Sequence, residues 1–301
     1  MSVENVSTDP ASCLPTFTPG SPFDGRPPTA GDVILRSSDG VDFRVHQVVM
    51  SLASPIFATM FALPQPEGET EPVAMAESAV ALDRMLRFWY PGTEPPVIDT
   101  LDELQRVVEI LVSKYEVQSA VYTAKSYIRN YLETQPVAVF AFACTQGWED
   151  VAQAAARESL KHPIRVFDDD ATTGLKHITG EAYHRLLQYH YRCGIAAKGT
   201  TNSLRWVPAT AKTLVWFTCR NCAGHPTRVW FTNYLTSVGA ELSATPGISP
   251  ADRKMLHPAL KEASKCGVCR EQVHEQLLNW ASTGLLTQIQ AAINEVQLKF
   301  I

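Results

Sequence analysis

Two pairs of cysteines stand out as residues whose type and spacing could do chemistry. Cys219 and Cys222 are separated by two residues, and so are Cys266 and Cys269. Two intervening residues let both thiolates of a pair bind one ion from a tight turn, and tetrahedral zinc takes four such ligands. The pattern therefore predicts a structural zinc site made of these four cysteines. Two alternatives stay open, namely reduced cysteines with a packing role and a thiol redox or disulfide pair.

The distance along the chain between the two pairs restricts how such a site can form. Residues 223–265 separate the pairs, which is longer than the about 15–20 residues of a compact zinc ribbon. The intervening segment must therefore fold back to bring the second pair to the first. His225 lies close after Cys222 and is an alternative ligand if one cysteine is elsewhere.

The cysteine count and the first residues indicate the cellular compartment in which the chain is expected. The chain has seven cysteines, an odd number, and its start lacks the basic residues and apolar core of a secretory signal. Such a chain is expected in the cytoplasm or the nucleus, where thiols stay reduced or bind metal. The longest apolar run, Val137–Cys144, is too short to cross a bilayer, so no membrane association is expected.

Charge and motif content argue against several function classes. The net charge of −5 and the lack of a dense Lys/Arg run give no reason to expect nucleic-acid binding. The sequence has no GxSxG, GxxxxGK, HExxH or GxGxxG motif to support hydrolysis, phosphoryl transfer or cofactor binding. We therefore expect a protein without enzymatic activity and without a small-molecule substrate.

The elements that precede the cysteines begin with a pattern of strand, turn, strand and helix. The apolar run Val33–Leu35 predicts a strand, and Asp39-Gly40 is a common hairpin turn because both residues tolerate positive φ. Residues 41–45 then alternate between apolar and polar, as a half-buried strand does. Ser54-Pro55 supplies an N-cap and a first-turn proline for a following helix.

This opening resembles that of a BTB/POZ domain, a module that binds other proteins and performs no reaction. The segment from FTCRNC through WFTNYL to ASKCGVCR is also similar to the Cys-bearing C-terminal region of fungal BTB-domain proteins. The resemblance extends from about residue 30 to the end and is less specific beyond residue 133. It implies association with a protein partner or with a second copy of the chain.

The resemblance also implies roles for individual residues. Asp32 and His46 match positions where BTB domains hold a buried polar pair, whose hydrogen bond would fix the corner between strand and helix. The chain departs from many dimeric BTB domains at Gln47, where they carry a basic residue. An apolar interaction surface suited to a homodimer is expected at Phe57, Met60 and Phe61.

Some BTB domains recruit the cullin-3 scaffold of ubiquitin ligases, and this gives an alternative function. In that group the helix with the Met-Phe pair continues into an apolar-x-Glu segment that contacts the scaffold. Here Pro64 and Pro66 interrupt the helix and Glu67 is out of position. A cullin-3 substrate adaptor and a thiol redox protein therefore remain alternatives to a general protein-interaction role.

The predicted architecture belongs to the α+β class. Residues 1–28 are rich in Pro, Ser and Thr and are predicted to be disordered. A small sheet with a helical cluster is expected at 29–133 as the BTB/POZ domain. A helical extension follows at 134–203, and a Cys-rich, mostly helical C-terminal domain with the zinc subdomain occupies 204–301.

Overall fold

The computed structural model describes residues 17–27, 30–63, 71–164, 178–210, 214, 219 and 229–299. The chain divides into two compact units, Met1–Asn130 and Tyr131–Ile301, called unit 1 and unit 2 below. Each unit has its own set of buried apolar side chains. Unit 1 combines strands and helices, whereas the regular structure in the described residues of unit 2 is helical.

Unit 1 is built around a three-stranded sheet. Its strands lie in the order β2-β1-β3 and are β1 (Val33–Arg36), β2 (Asp42–Val45) and β3 (Val73–Ala74). β1 and β2 are antiparallel, with Leu35 opposite Phe43, and β3 runs parallel to β1. Because successive side chains of a strand point to opposite faces, every second residue of the hairpin enters the core. These residues are Val33, Leu35, Phe43 and Val45.

A tight turn joins β1 to β2, as the sequence pattern predicts. Gly40 has a φ of +83°, a conformation that glycine adopts without steric cost. The Asp39 carboxylate accepts hydrogen bonds from the Ser37 hydroxyl at 2.6 Å and from the Ala79 backbone N–H at 2.8 Å. The bond from Ser37, above all, holds the pKa of Asp39 below its ordinary value. The turn is thereby tied to the start of the helix that begins at Ala79.

Five α-helices accompany the sheet in the described part of unit 1. They are α1 (Gln47–Ala53), α2 (Pro55–Ala62), α3 (Ala79–Trp89), α4 (Leu101–Val108) and α5 (Ala120–Ile128). Ser54, Ser78 and Thr100 cap α2, α3 and α4 by accepting a hydrogen bond from a backbone N–H of the first turn. α4 continues into a π-helical turn, Glu109–Lys114, and a 3₁₀ turn, Arg129–Tyr131, follows α5.

The π-helical turn places an ion pair beside the core of unit 1. Lys114 Nζ lies 2.5 Å from Glu77 Oε1, and Glu77 Oε2 accepts a hydrogen bond from the Tyr115 hydroxyl at 3.0 Å. Glu77 is only 8 % exposed, so these two bonds offset the cost of removing its charge from water. Burial raises the pKa of the Tyr115 phenol.

The segment before β1 is ordered over residues 17–27, so the predicted disorder is wrong there. Phe23 is buried, and its ring lies 5.2 Å from that of Tyr90 and 6.3 Å from that of Phe43. The Phe23 carbonyl also accepts a hydrogen bond from the backbone N–H of Arg44 at 3.0 Å. Burial of one aromatic side chain thus anchors a segment whose composition is typical of disorder. Residues 1–16 and 28 lie outside the described residues.

Unit 2 is helical over its described residues. The helices are α6 (Pro136–Thr145), α7 (Glu149–Ser159), α8 (Gly180–Asn202), α9 (Val229–Ala244), α10 (Arg253–Ala263), α11 (Gly267–Asn279) and α12 (Leu286–Asn294). α6 packs against α7, and α8 packs against α9 and α12. The predicted helical extension at 134–203 and the predicted Cys-rich domain at 204–301 both lie within this unit, and the boundary between them stays a prediction.

The predicted α+β class is confirmed. A small sheet with helices occupies the first part of the chain, and helices follow it. Among the described residues, no helix combines the length and the hydropathy that crossing a bilayer requires.

Candidate interaction surface and metal centre

The first two helices carry apolar side chains that face solvent. Ser54 separates α1 from α2, and its hydroxyl accepts a hydrogen bond from the Phe57 N–H and donates one of 2.5 Å to a core carbonyl. Beside this buried junction, the outer faces of α1 and α2 expose three apolar residues. The exposed fractions are 61 % for Val48, 84 % for Leu52 and 37 % for Ile56. Exposed apolar side chains that lie close together are typical of interaction sites.

One member of the predicted interaction surface belongs to the core instead. Phe57 is fully buried, and its ring stacks on that of Tyr115 with 4.7 Å between the centroids. The side chain lies on the buried face of α2. Met60 and Phe61 are half-buried, and their role in an interaction surface stays a prediction.

The corner between β2 and α1 is held by two separate sets of hydrogen bonds. Asp32 Oδ1 accepts from the Gln47 backbone N–H at 2.7 Å. The His46 backbone N–H donates to the Tyr90 hydroxyl at 2.8 Å, and His46 Nδ1 lies 2.7 Å from the same oxygen. Asp32 and His46 thus contact different groups at one corner, and Asp32 is exposed. Burial raises the pKa of Tyr90.

Several residues that carried sequence-based predictions lie outside the described residues. They are Pro64, Pro66, Glu67, Cys222 and His225. The cullin-3 hypothesis depends on the first three, and the complete metal-ligand set depends on the last two. Both therefore stay predictions.

Three of the four predicted zinc ligands come together in unit 2. The sulfur atoms of Cys219, Cys266 and Cys269 all lie within 4.8 Å of one another, and those of Cys219 and Cys266 are 3.8 Å apart. Zinc–sulfur bonds of about 2.3 Å in a tetrahedron hold the sulfurs about 3.8 Å apart. A disulfide would need about 2.05 Å between the two sulfurs. The observed separation is too long for a disulfide and is compatible with two ligands on one ion.

The local fold explains how α11 presents two of these sulfurs. Cys266 is the N-cap of α11, with extended backbone angles of φ −97° and ψ 125°, and Cys269 lies in the first turn. The Arg270 N–H donates to the Cys266 carbonyl at 2.9 Å, which closes that turn. Cys269 is fully buried, whereas Cys219 and Cys266 are half-buried. The partial positive charge at a helix N-terminus favours thiolates over thiols.

The arrangement is chemically suited to a metal that prefers sulfur ligands. Clusters of cysteine thiolates select zinc among the common divalent ions, and a structural zinc site takes four protein ligands. Because Cys219 lies far from α11 in sequence, an ion held by the three sulfurs would cross-link two distant segments. Sequence reasoning identified these residue types, but only the fold brings the sulfurs together.

Sequence reasoning missed the exposed apolar residues of α1. Val48 and Leu52 are four positions apart, the spacing that places two side chains on one face of a helix. That spacing was a usable signal, but it does not tell whether the face meets the core or solvent. The structure decides this by burying Met50 and exposing Leu52.

Comparison with known families identifies the fold of unit 1. Residues 27–132 match the family model of the BTB/POZ domain. A search of the curated proteins found no match for the chain. The predicted resemblance is confirmed for this segment, while the likeness of the C-terminal region to fungal proteins stays a prediction. The chain therefore contains a BTB/POZ domain at residues 27–132, a module of protein–protein association.

Proposed function

We propose that this chain is a non-enzymatic interaction protein that associates with itself or with a partner protein through its BTB/POZ domain. The BTB/POZ match at residues 27–132 is the observation that carries the proposal. Domains of this kind are interaction modules, and the chain lacks the sequence motifs of the common enzyme classes.

Self-association through α1 and α2 is the form of the proposal that the exposed residues favour. Leu52 is 84 % exposed and Val48 is 61 % exposed, so both side chains lie in water in the single chain. Covering such residues with a second copy removes apolar surface from water, which stabilises an association by about 25 cal/mol per Å². α1 is short and capped by the buried Ser54 junction, so this face is held in place by the core.

The effect of Leu52→Glu on oligomeric state tests this proposal. Light scattering coupled to size exclusion should show a dimer for the full chain at high micromolar concentration. Leu52→Glu should weaken the dimer at least about tenfold, because a charge must then be buried at the interface. Val97→Glu is the matched control, since Val97 is 73 % exposed and lies outside α1 and α2. A wild-type chain that stays strictly monomeric contradicts self-association.

We propose further that unit 2 contains one structural zinc ion bound by Cys219, Cys222, Cys266 and Cys269. The proposal is supported by the three sulfurs that lie within 4.8 Å of one another and by the cysteine spacing that supplies a fourth ligand. His225 is the substitute ligand if Cys222 does not bind. Because free thiols stay reduced in the cytoplasm and the nucleus, we propose these compartments for the chain.

Metal analysis of the purified full chain tests the zinc proposal. We expect about one zinc per chain, as a tetrahedral structural site requires. Cys269→Ser should lose most of this zinc and unfold at a lower temperature, because Cys269 is fully buried in the cluster. Cys144→Ser is the control, because Cys144 is a half-buried cysteine of α6 outside the cluster. Zinc well below one per chain despite intact thiols contradicts the proposal.

A further inference from the structure

Unit 2 holds a cavity where α6, α7 and α8 pack together. Its volume is about 140 Å³, and it opens to solvent on one side. The inner wall is apolar, and each of its residues is at most 7 % exposed. These wall residues are Phe140, Ala143, Trp148, Ala152 and Ala182. The cavity belongs entirely to unit 2 and is separate from both the cysteine cluster and the BTB/POZ domain.

The sequence explains why space remains between these three helices. Each helix contributes an alanine to the wall, Ala143 from α6, Ala152 from α7 and Ala182 from α8, so no long side chain fills the centre. Gly147 has a φ of +67° and makes the sharp turn between α6 and α7. Trp148 follows it and packs its ring edge-on against a phenylalanine of α6, which forms a rigid side wall.

The mouth of the cavity carries more positive than negative charge. Arg185 and Lys299 line it, together with one carboxylate, that of Glu149. Arg185 and Lys299 also line a second, larger cavity of about 400 Å³ that contains Arg192 and Glu181. Arg185 forms an ion pair with Glu181, which leaves Lys299 and Arg192 as cations without a carboxylate partner among the described residues. Over both cavities three cations face the two carboxylates Glu149 and Glu181, so one positive charge is in excess, and Lys299, which lines both cavities, would attract an anion.

The size and the charge together define a ligand class. An engineered apolar protein cavity of about 150 Å³ binds benzene, so about 140 Å³ accommodates one six-membered ring or a short branched alkyl group. Guanidinium and ammonium groups bind carboxylates and phosphates through charge-assisted hydrogen bonds. We propose that this cavity binds a small organic anion, with its ring-sized apolar part against Trp148 and its carboxylate or phosphate at Lys299.

The site is one for binding and not for covalent chemistry. The Cys144 thiol is the nucleophilic group in the cavity lining. Burial raises its pKa, which disfavours the thiolate, the nucleophilic form of cysteine. The ligand is thus held by shape and charge alone, as an effector of a protein without enzymatic activity would be.

Fluorine NMR with the purified full chain tests the ligand class. The probes are 4-fluorobenzoate, 4-fluorophenyl phosphate and neutral 4-fluorobenzamide, which has the same shape as the benzoate. At least one of the two anions should bind saturably with a dissociation constant on the order of 1 mM or lower, as suits about ten heavy atoms. The amide should bind at least about tenfold more weakly. If neither anion saturates, or if the amide binds as well, the proposal is overturned.

Matched substitutions locate the site. Ala152→Leu fills the cavity and should abolish binding, whereas Ala154→Leu on the exposed side of α7 should leave it unchanged. Lys299→Gln should weaken anion binding about three- to tenfold, whereas Lys198→Gln, an exposed lysine outside both cavities, should not. If Ala152→Leu does not fold, the comparison of Lys299→Gln with Lys198→Gln tests the proposal by itself. Equal affinity of Lys299→Gln and Lys198→Gln for the anion overturns the proposal.

Discussion

Tyr234 shows at the scale of one residue how a polar group is accommodated in the core of unit 2. The side chain is 2 % exposed, and its hydroxyl donates a 2.8 Å hydrogen bond to the buried carbonyl of Pro250. Tyr234→Phe leaves that carbonyl without its donor, so we expect a loss of about 1–2 kcal/mol in the free energy of unfolding. Urea denaturation measures it. Tyr191→Phe is the control, because Tyr191 is 68 % exposed and should change stability little.

The same residue predicts a dependence of stability on alkaline pH. Burial raises the pKa of Tyr234 above that of an unfolded tyrosine, which is about 10. The contribution of the neutral phenol is therefore complete below pH 10 and is lost as the pH rises toward the folded pKa. The advantage of the wild type over Tyr234→Phe should shrink by about 1.4 kcal/mol per pH unit above 10. A constant difference between pH 8 and about pH 11 would contradict the prediction.

Residue types could be read from the sequence more reliably than residue environments. The cysteine spacing predicts a common ion, and the sulfurs of Cys219 and Cys266 do lie 3.8 Å apart. Phe57 was expected on a surface, yet its ring stacks on Tyr115, which is far away in sequence. Neither contact is encoded in local spacing, because both depend on how distant segments fold onto each other. The sequence could predict which residues are able to bind an ion, but it could not predict which side chains are buried.

At the scale of elements, the pairing of β1 with β2 depends on a close backbone approach at Gly31. A Cβ atom placed on Gly31 would lie 2.3 Å from the Val45 carbonyl oxygen, a distance that real atoms do not adopt. Gly31→Ala must therefore push the hairpin apart, and we expect a loss of about 3 kcal/mol or more. This loss of stability is measured by thermal denaturation, with circular dichroism as the signal.

Gly199 provides the matched control for this substitution. It lies inside α8, and a Cβ atom there meets no other atom within 4 Å. Gly199→Ala should raise stability by about 0.5–1 kcal/mol, because alanine has a higher helix propensity and restricts the unfolded chain. If the two Gly→Ala variants shift stability in the same direction, the explanation by close backbone approach fails.

The Asp32 side chain stabilises the start of α1 by a hydrogen bond to the backbone. Its carboxylate accepts the Gln47 N–H at 2.7 Å, one of the amides that the helix itself leaves unbonded. Asp32→Ala removes this acceptor and should cost about 1 kcal/mol in denaturant unfolding. Asp32→Asn keeps an acceptor oxygen and should cost less than half as much. Equal losses in the two variants would show that the charge, and not the hydrogen bond, stabilises the corner.

Turns and helix starts were predictable because their causes are local. Gly40 has the positive φ that its place in the turn requires, and Ser54 caps α2 as the Ser-Pro pair predicts. The π-helical turn at Glu109–Lys114 has no such local signal, since its lysine pairs with Glu77 from another part of unit 1. The order of residues 17–27 likewise comes from the distant contact between Phe23 and Tyr90. Local causes were visible in the sequence, and these long-range contacts were not.

At the scale of the whole molecule, the chain consists of two units with different sources of stability. Unit 1 has a sheet whose apolar residues, such as Leu35 and Phe43, are fully buried. Unit 2 has helices packed on one another and, in our proposal, an ion that links α11 to the segment at Cys219. The interaction face, the ion and the ligand cavity are thus assigned to separate residues. Each of them can therefore be tested by its own substitution.

If unit 2 holds the proposed zinc ion, its removal should loosen unit 2 only. Hydrogen–deuterium exchange of the full chain, with and without a strong zinc chelator, gives the measurement. Because α11 carries Cys266 and Cys269, its amides should exchange at least about tenfold faster in the chelated protein, since the ion contributes to the local stability. The amides of β1 and β2 should be unaffected. Cys269→Ser should show the fast exchange without chelator and no further change with it. Equal acceleration in both units would mean that the ion stabilises the fold globally. Unchanged exchange in α11 would contradict the binding of zinc by the cysteine cluster.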